Sequence, residues 1–316
     1  MKKVAFLDTV HPVLKDGLEA MGWICDDFTQ RPISEIENSI QQYQGIVIRS
    51  RFPMNQSFLE KATQLEFIAR SGAGMENIDE AYCTRRNIQL FNAPEGNRNA
   101  VAEHALGMIL SLFNKLHTAD KEVREGVWDR EGNRGIELEG KTIGLIGFGN
   151  NGAAFARVLR GFGVEVIAYD KYKSGFGDEY VQEVDLETLK QKAQIISLHI
   201  PQNAETLGWI NDEFIKEVRH NFWLINLSRG KIVQTQSLLS AINSGKVLGA
   251  CLDVLEFEKA SFENMFDGEK NNELPLEFRE LISSDKVLLS PHVGGWTYES
   301  YYKLSQVLLD KIKKSI

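Results

Sequence analysis

The stretch from residue 142 to residue 170 constrains the fold of this chain more than any other. An apolar, β-rich run, Thr142-Ile143-Gly144-Leu145-Ile146, leads into the turn Gly147-Phe148-Gly149-Asn150-Asn151-Gly152. A helix-length segment follows, and a second apolar run, Val164 to Tyr169, ends on Asp170, 18 positions past Gly152. Three glycines at G-x-G-x-x-G spacing between a strand and a helix, with an acid closing the next strand, make the pattern of a dinucleotide-binding βαβ unit. Gly147 is expected to allow the tight turn, Gly149 to let a pyrophosphate reach the backbone, and Gly152 to let the helix pack close to the sheet. Phe148, Asn150 and Asn151 complete the expected cofactor-binding turn, with the anion on the helix N-terminus. Asp170 suits the ribose hydroxyls and would repel a 2′-phosphate, so NAD is expected over NADP; Lys171 beside it is the opposing charge.

A nucleotide unit that begins near residue 140 implies that another domain precedes it. Before residue 100, short β-like runs (Val4–Leu7, Gly45–Ile48, Leu65–Ala69, Ile88–Phe91) alternate with amphipathic stretches, which predicts a small α/β layer structure. Ala100 to Phe113 is apolar on nearly every face and reads as a fully buried connecting helix. Further runs at Ile195–His199, Trp223–Leu227, Val247–Cys251 and Val287–Leu289 would complete a parallel sheet. The closing segment has helical spacing at Tyr301, Leu304, Leu308 and Ile312 and is expected to return to the first domain. The predicted architecture is α/β: a Rossmann-type, doubly wound parallel sheet domain (residues 99–290) inserted in a smaller, flavodoxin-like α/β substrate domain (residues 1–98 and 291–316). Ligands of such folds lie in clefts at the carboxyl ends of the strands.

Several function classes fall away on composition. A net charge of −8 over 316 residues opposes a nucleic-acid surface, which needs a broad basic face. No apolar run is long enough to predict a membrane span, and the first apolar run meets Asp8 too soon for a signal peptide. Cys25, Cys83 and Cys251 lack metal-ligand spacing and suit a reducing, cytoplasmic setting, so no metal site is expected.

Three polar positions sit at strand-to-loop boundaries of the second half: Arg229 in Asn226-Leu-Ser-Arg-Gly230, Glu258 after Cys251-Leu-Asp253, and His292 in Ser290-Pro-His-Val-Gly-Gly295. With them in view, the chain resembles the D-isomer-specific 2-hydroxyacid dehydrogenase family from about residue 45 to residue 300. The resemblance implies that Arg229 binds the substrate carboxylate and carbonyl oxygen, that His292 is the general acid/base, and that Glu258, rather than Glu256, orients it. It also implies that the loop after Arg70 presents the N–H groups of Ala73 and Gly74 to the carboxylate, and that Asn97 touches substrate while Glu103 only braces its helix. On the cofactor side it assigns His199 and Pro201 to the adenosine, Asp253 to the nicotinamide carboxamide, and Leu227, Ser228 and Gly294 to the same binding surface. A homodimer through the cofactor domain is the implied assembly.

For the substrate, Arg49-Ser50-Arg51 resembles the segment that contacts substrate in D-3-phosphoglycerate dehydrogenases. If the chain stays extended, Arg49 and Arg51 share a face and could serve one phosphate. The sequence reading therefore expects 3-phosphoglycerate/3-phosphohydroxypyruvate and a place in serine biosynthesis, without the carboxy-terminal regulatory domain of longer relatives. A glyoxylate or hydroxypyruvate reductase is the enzymatic alternative, and an NAD-sensing, corepressor-like interaction protein is the alternative of another class. Three departures stand out: Asn150 and Asn151 replace an arginine-isoleucine pair, Lys259 stands where proline follows the glutamate, and Trp296 follows the double glycine.

Overall fold

The computed structural model describes residues 1–258 and 275–315. Twelve strands form two sheets, and every pairing among the described residues is parallel. The shorter sheet holds β1 (Lys3–Phe6), β2 (Ile24–Asp27), β3 (Gly45–Ile48), β4 (Phe67–Arg70) and β5 (Gln89–Phe91) in the order β2-β1-β3-β4-β5, which is the flavodoxin order. The longer sheet holds β6 (Thr142–Ile146), β7 (Glu165–Tyr169), β8 (Val181–Glu183), β9 (Ile195–Leu198), β10 (Phe222–Asn226), β11 (Val247–Leu252) and β12 (Val287–Leu289). Its order, β12-β11-β10-β9-β6-β7-β8, is that of a Rossmann sheet with one added strand, and the order reverses between β6 and β9.

Central parallel strands covered by helices on both faces bury nearly every side chain, and their sequences show it. In the shorter sheet Ala5, Ile46, Ile48 and Ile68 pack into one core, while Val4, Phe6, Val47 and Phe67 pack into the other. In the longer sheet Ile143, Leu145 and Ile225 face one core; Ile146, Ile196 and Leu224 face the opposite one. Each buried Leu, Ile or Val contributes about 1.5–3 kcal/mol, so the continuous apolar runs, rather than alternation, specify these strands.

The chain divides into two compact units, one of Met1–Arg98 with Trp296–Ile316 and one whose described residues run over Asn99–Glu258 and up to Gly295. The boundary read at residue 290 falls after Gly295, so His292 belongs with the longer sheet. The helix Pro94–Phe113 spans the first boundary. It is not buried all round: Val101, Ala105, Met108 and Ile109 enter the core beside β6, whereas Glu103 and Gly107, one turn apart, form an exposed stripe. The closing helix Tyr298–Ser315 inserts Leu304, Leu308 and Ile312 among Val4, Leu14 and Leu18 of the shorter-sheet unit. Gly17 allows the close approach, since a Cβ there would lie 2.2 Å from Leu309.

Candidate active site

The turn after β6 is built from steric necessity. Gly147 sits at φ +95°, and a Cβ on it would stand 2.5 Å from the carbonyl oxygen of His199 at the end of β9. A Cβ on Gly152 would stand 2.2 Å from the carbonyl oxygen of Gly147, so the helix Asn150–Val158 folds back onto the turn that begins it. At Gly149, the N-cap, a Cβ would meet nothing within 4 Å, and this is the open side of the turn. Beside it, at the reversal between β6 and β9, lies a cavity of about 410 Å³ whose lining includes Gly149, Asp170, His199, Pro201, Glu205 and Trp209.

Asp170 organises the rim. Its Oδ2 accepts from Phe148 N at 2.8 Å, and its Oδ1 accepts from Tyr172 N at 2.9 Å and Lys173 N at 3.1 Å. Phe148, in the turn expected to serve the cofactor, donates its N–H to Asp170, and its ring stacks on Phe176 at 4.5 Å. Asn151 carries a buried Oδ1 with no partner among the described residues. His199 meets Ser197 Oγ through Nε2 at 2.9 Å, and burial of the ring pushes its pKa down to about 4, leaving it neutral. Ser228 Oγ donates to Leu198 O at 2.6 Å, so this hydroxyl ties the ends of β9 and β10 together, with Leu227 buried beside it.

The loop after β12 carries His292. Its Nδ1 lies 2.9 Å from Glu258 Oε2, and Glu258 Oε1 accepts from Leu255 N at 2.5 Å, which fixes the carboxylate before it meets the ring. His292 adopts φ +53°, in the left-handed region that non-glycine residues enter at a cost of about 1–3 kcal/mol. Asp253, 2% exposed at the end of β11, supplies the compensation. Its Oδ1 accepts from Val293 N (2.9 Å) and Ser290 Oγ (2.6 Å), its Oδ2 accepts from Gly294 N (2.8 Å), and its backbone carbonyl accepts from His292 N (2.8 Å). The carboxylate assigned from sequence to the nicotinamide carboxamide is thus engaged by the histidine loop. Gly294 is needed there, because a Cβ would fall 2.8 Å from Asp253 Oδ2.

Arg229 follows β10 in extended conformation, with Nη1 donating to Ser228 O at 2.7 Å. Its neighbour Gly230 passes so near the turn carrying Glu258 that a Cβ would lie 1.9 Å from Leu255 O. Arg229, Glu258 and His292 therefore rise from the carboxyl ends of neighbouring strands β10, β11 and β12. Glu256 points elsewhere, its Oε2 accepting from Thr235 N at 2.8 Å at the start of a helix. Lys259 lies outside the described residues.

In the shorter-sheet unit the extended conformation expected past β3 is not found. β3 ends at Ile48, and the backbone of Arg49, Ser50 and Arg51 curls so that all three N–H groups reach Asp8 Oδ2, at 2.6, 3.1 and 3.2 Å. The alternation that would align the two arginines is absent. Arg51 donates Nη1 to Leu7 O (2.9 Å) and Phe28 O (2.8 Å), and Nη2 to Arg31 O (2.6 Å), joining three loops. Arg49 instead lies 4.0 Å over the ring of Trp296, a cation–π contact. The three backbone N–H groups at this turn are occupied by Asp8. Ala73 and Gly74 occupy the turn after β4, anchored by Asn92 Nδ2 donating to Ala73 O at 2.7 Å. Asn97 carries a buried Oδ1 with no partner among the described residues.

Residues 106–294 match the model of the "D-isomer specific 2-hydroxyacid dehydrogenase, NAD binding domain". The chain belongs to the D-isomer specific 2-hydroxyacid dehydrogenase family. It is 34% identical to the hydroxypyruvate reductase of Thermotoga maritima, over 89% of this chain and 88% of that one. It is also 34% identical to the D-3-phosphoglycerate dehydrogenase of Archaeoglobus fulgidus over 96% of its own length, but spans only 54% of that longer relative. The D-lactate dehydrogenase of Aquifex aeolicus, solved with NAD and lactic acid, superposes with a TM-score of 0.83 at 27% identity, covering 99% of this chain and 94% of that one.

The family's cofactor, NAD, fits the residues present. Gly149 leaves its backbone open to a pyrophosphate, and Asp170 Oδ2, which accepts one internal bond, has capacity for a ribose hydroxyl. Sequence reading missed the support behind the family's histidine loop: His104 Nε2 lies 2.9 Å from Ser290 Oγ and 3.6 Å from Asp253 Oδ1. Its position one residue past Glu103, on a helix read only as apolar, gave no signal. Asp8 was likewise invisible, being 41 residues from the backbone it binds.

Proposed function

We propose that this chain interconverts a short D-2-hydroxy acid and its 2-keto acid with NAD(H). The observation that carries the reading is the Glu258–His292 pair at 2.9 Å, on a braced loop in the unit that holds the dinucleotide turn. Bound NAD supplies the hydride chemistry. With Nδ1 facing Glu258, the carboxylate selects the tautomer that carries its proton there, and proton exchange with the substrate falls to Nε2 of His292. Arg229 provides the planar cation suited to a substrate carboxylate. Within the shorter-sheet unit, the N–H groups of Ala73 and Gly74 suit a carboxylate, and Asn97 Oδ1 is an acceptor for a hydroxyl.

Among substrates, hydroxypyruvate or glyoxylate is favoured over 3-phosphohydroxypyruvate, because Arg51 is committed to three carbonyls and Asp8 fills the adjacent nest. The relatives include both kinds of enzyme, so the phosphorylated substrate, with its role in serine biosynthesis, is the second reading. A homodimer is supported by exposed apolar side chains on one helix and the loop after it, Leu116, Val123 and Trp128. A cytoplasmic setting is supported by three free cysteines. The decisive experiment is His292→Ala: kcat is expected to fall by about 10² to 10⁴ while calorimetry shows NAD still binding. Near-normal turnover of hydroxypyruvate, glyoxylate and 3-phosphohydroxypyruvate by this variant would refute the mechanism.

A further inference from the structure

The cofactor pocket has a feature that neither its glycines nor Asp170 explains. Its lining includes two lysines, Lys171 and Lys173, one and three positions after Asp170. Cations at that point of a Rossmann unit accommodate the 2′-phosphate of NADP, so a pocket read from β7 alone carries contradictory signals. The loop after β9 resolves them. Glu205, on the opposite rim, accepts through Oε2 from Lys171 Nζ at 2.5 Å and from Tyr172 OH at 3.0 Å. Glu205 is itself placed: its N–H donates to Asn203 Oδ1 at 2.9 Å, and Thr206 Oγ1 donates to Pro201 O at 2.7 Å, closing the loop. Lys173 Nζ turns toward Phe148 O at 3.4 Å, on the glycine turn.

We propose that Glu205 is a specificity-determining residue of this pocket, which discriminates against NADP by occupying Lys171. This rests on the pocket taking NAD. Two carboxylates then face a 2′-phosphate, Asp170 from β7 and Glu205 from the loop after β9, and the cation that could offset them is committed to the second. The ion pair is half-exposed on both sides (side-chain exposures 53% and 57%), so it contributes little to stability. Its consequence lies in which charge a cofactor meets. A doubly charged phosphate must displace a carboxylate already bonded to Lys171, whereas a neutral ribose hydroxyl need not.

The test is isothermal titration calorimetry with NAD and with NADP on the wild-type chain, Glu205→Gln, Lys171→Met and the double variant. Glu205→Gln is expected to tighten NADP about tenfold, the gain from one charge-assisted bond, and to leave NAD unchanged. The double variant is expected to lose that gain, and Lys171→Met alone to leave NADP as weak as in the wild type. A structural defect would weaken both cofactors together. Unchanged NADP affinity in Glu205→Gln would overturn the proposal. So would a gain that persists without Lys171, since Glu205 would then act by its own charge. Failure of the wild-type chain to bind NAD would instead remove the pocket reading on which the proposal stands.

Discussion

Replacing Arg51 with methionine separates a structural arginine from a substrate-binding one. Methionine keeps much of the apolar stem and removes the guanidinium. In the structure that guanidinium serves Leu7 O, Phe28 O and Arg31 O. The Arg31 carbonyl is exposed and recovers its bond from water. The Leu7 and Phe28 carbonyls are partly buried and recover less. Hydrogen bonds to charged groups contribute about 1.5–3 kcal/mol each, and bonds sharing one donor group do not add fully, so the expected loss of unfolding free energy is about 2–4 kcal/mol. Urea denaturation measures it, and steady-state kinetics with hydroxypyruvate and 3-phosphohydroxypyruvate, which differ by the phosphate, supply the second readout. The expected outcome is lower stability with kcat/KM for the two substrates affected alike. Unchanged stability together with a selective loss of tenfold or more for the phosphorylated substrate, the effect of one lost charged bond, would refute the argument and restore a phosphate role for Arg51.

Two further perturbations follow. Asp253→Asn replaces an acceptor-only group that holds Val293 N, Gly294 N and Ser290 Oγ; it should cost about 1–3 kcal/mol and lower kcat by freeing the His292 loop, and full activity in this variant would show that the loop is held by other means. His199 has a folded-state pKa of about 4, below its unfolded value of 6.5, so its contribution is fully present above pH 6.5 and is lost as pH falls toward 4, amounting to about 3 kcal/mol there. An NMR titration of its ring with a midpoint near 6.5, or unaltered acid stability in His199→Gln, would contradict that.

The parts of the fold that the sequence announces are those fixed by local sterics or by burial on both faces. The glycine turn is legible because Gly147 and Gly152 each meet a carbonyl oxygen within 2.5 Å of a would-be Cβ, a demand only glycine satisfies. The central strands are legible because both faces are covered. The edge strands β2 and β8, Ile-Cys-Asp-Asp and Val-Gln-Glu, are not: only Val181 among those seven residues is buried, so no apolar pattern marks them. The helix Leu116–Arg124 buries no residue and left the same silence.

The site divides along the same line. Arg229, Glu258 and His292 could be picked out because each sits where a strand gives way to a loop, and the motif around each is short. What holds them could not, because it depends on pairings distant in sequence. Asp253 reaches across 40 residues to Val293 N, and His104 across 186 to Ser290. The same distance hid the turn at Arg49 and Arg51: an extended chain is expected past the last residue of β3, and Asp8 gathers the backbone instead. The two cases share a cause. A buried or half-buried carboxylate collects N–H groups that a turn leaves unpaired, since leaving a buried one unsatisfied costs about 1–3 kcal/mol. At the end of β3 that requirement turns the backbone of Arg49, Ser50 and Arg51 around Asp8. After β12 it holds a histidine at φ +53°, a backbone strain that persists only because four bonds to Asp253 and its carbonyl over-determine the loop.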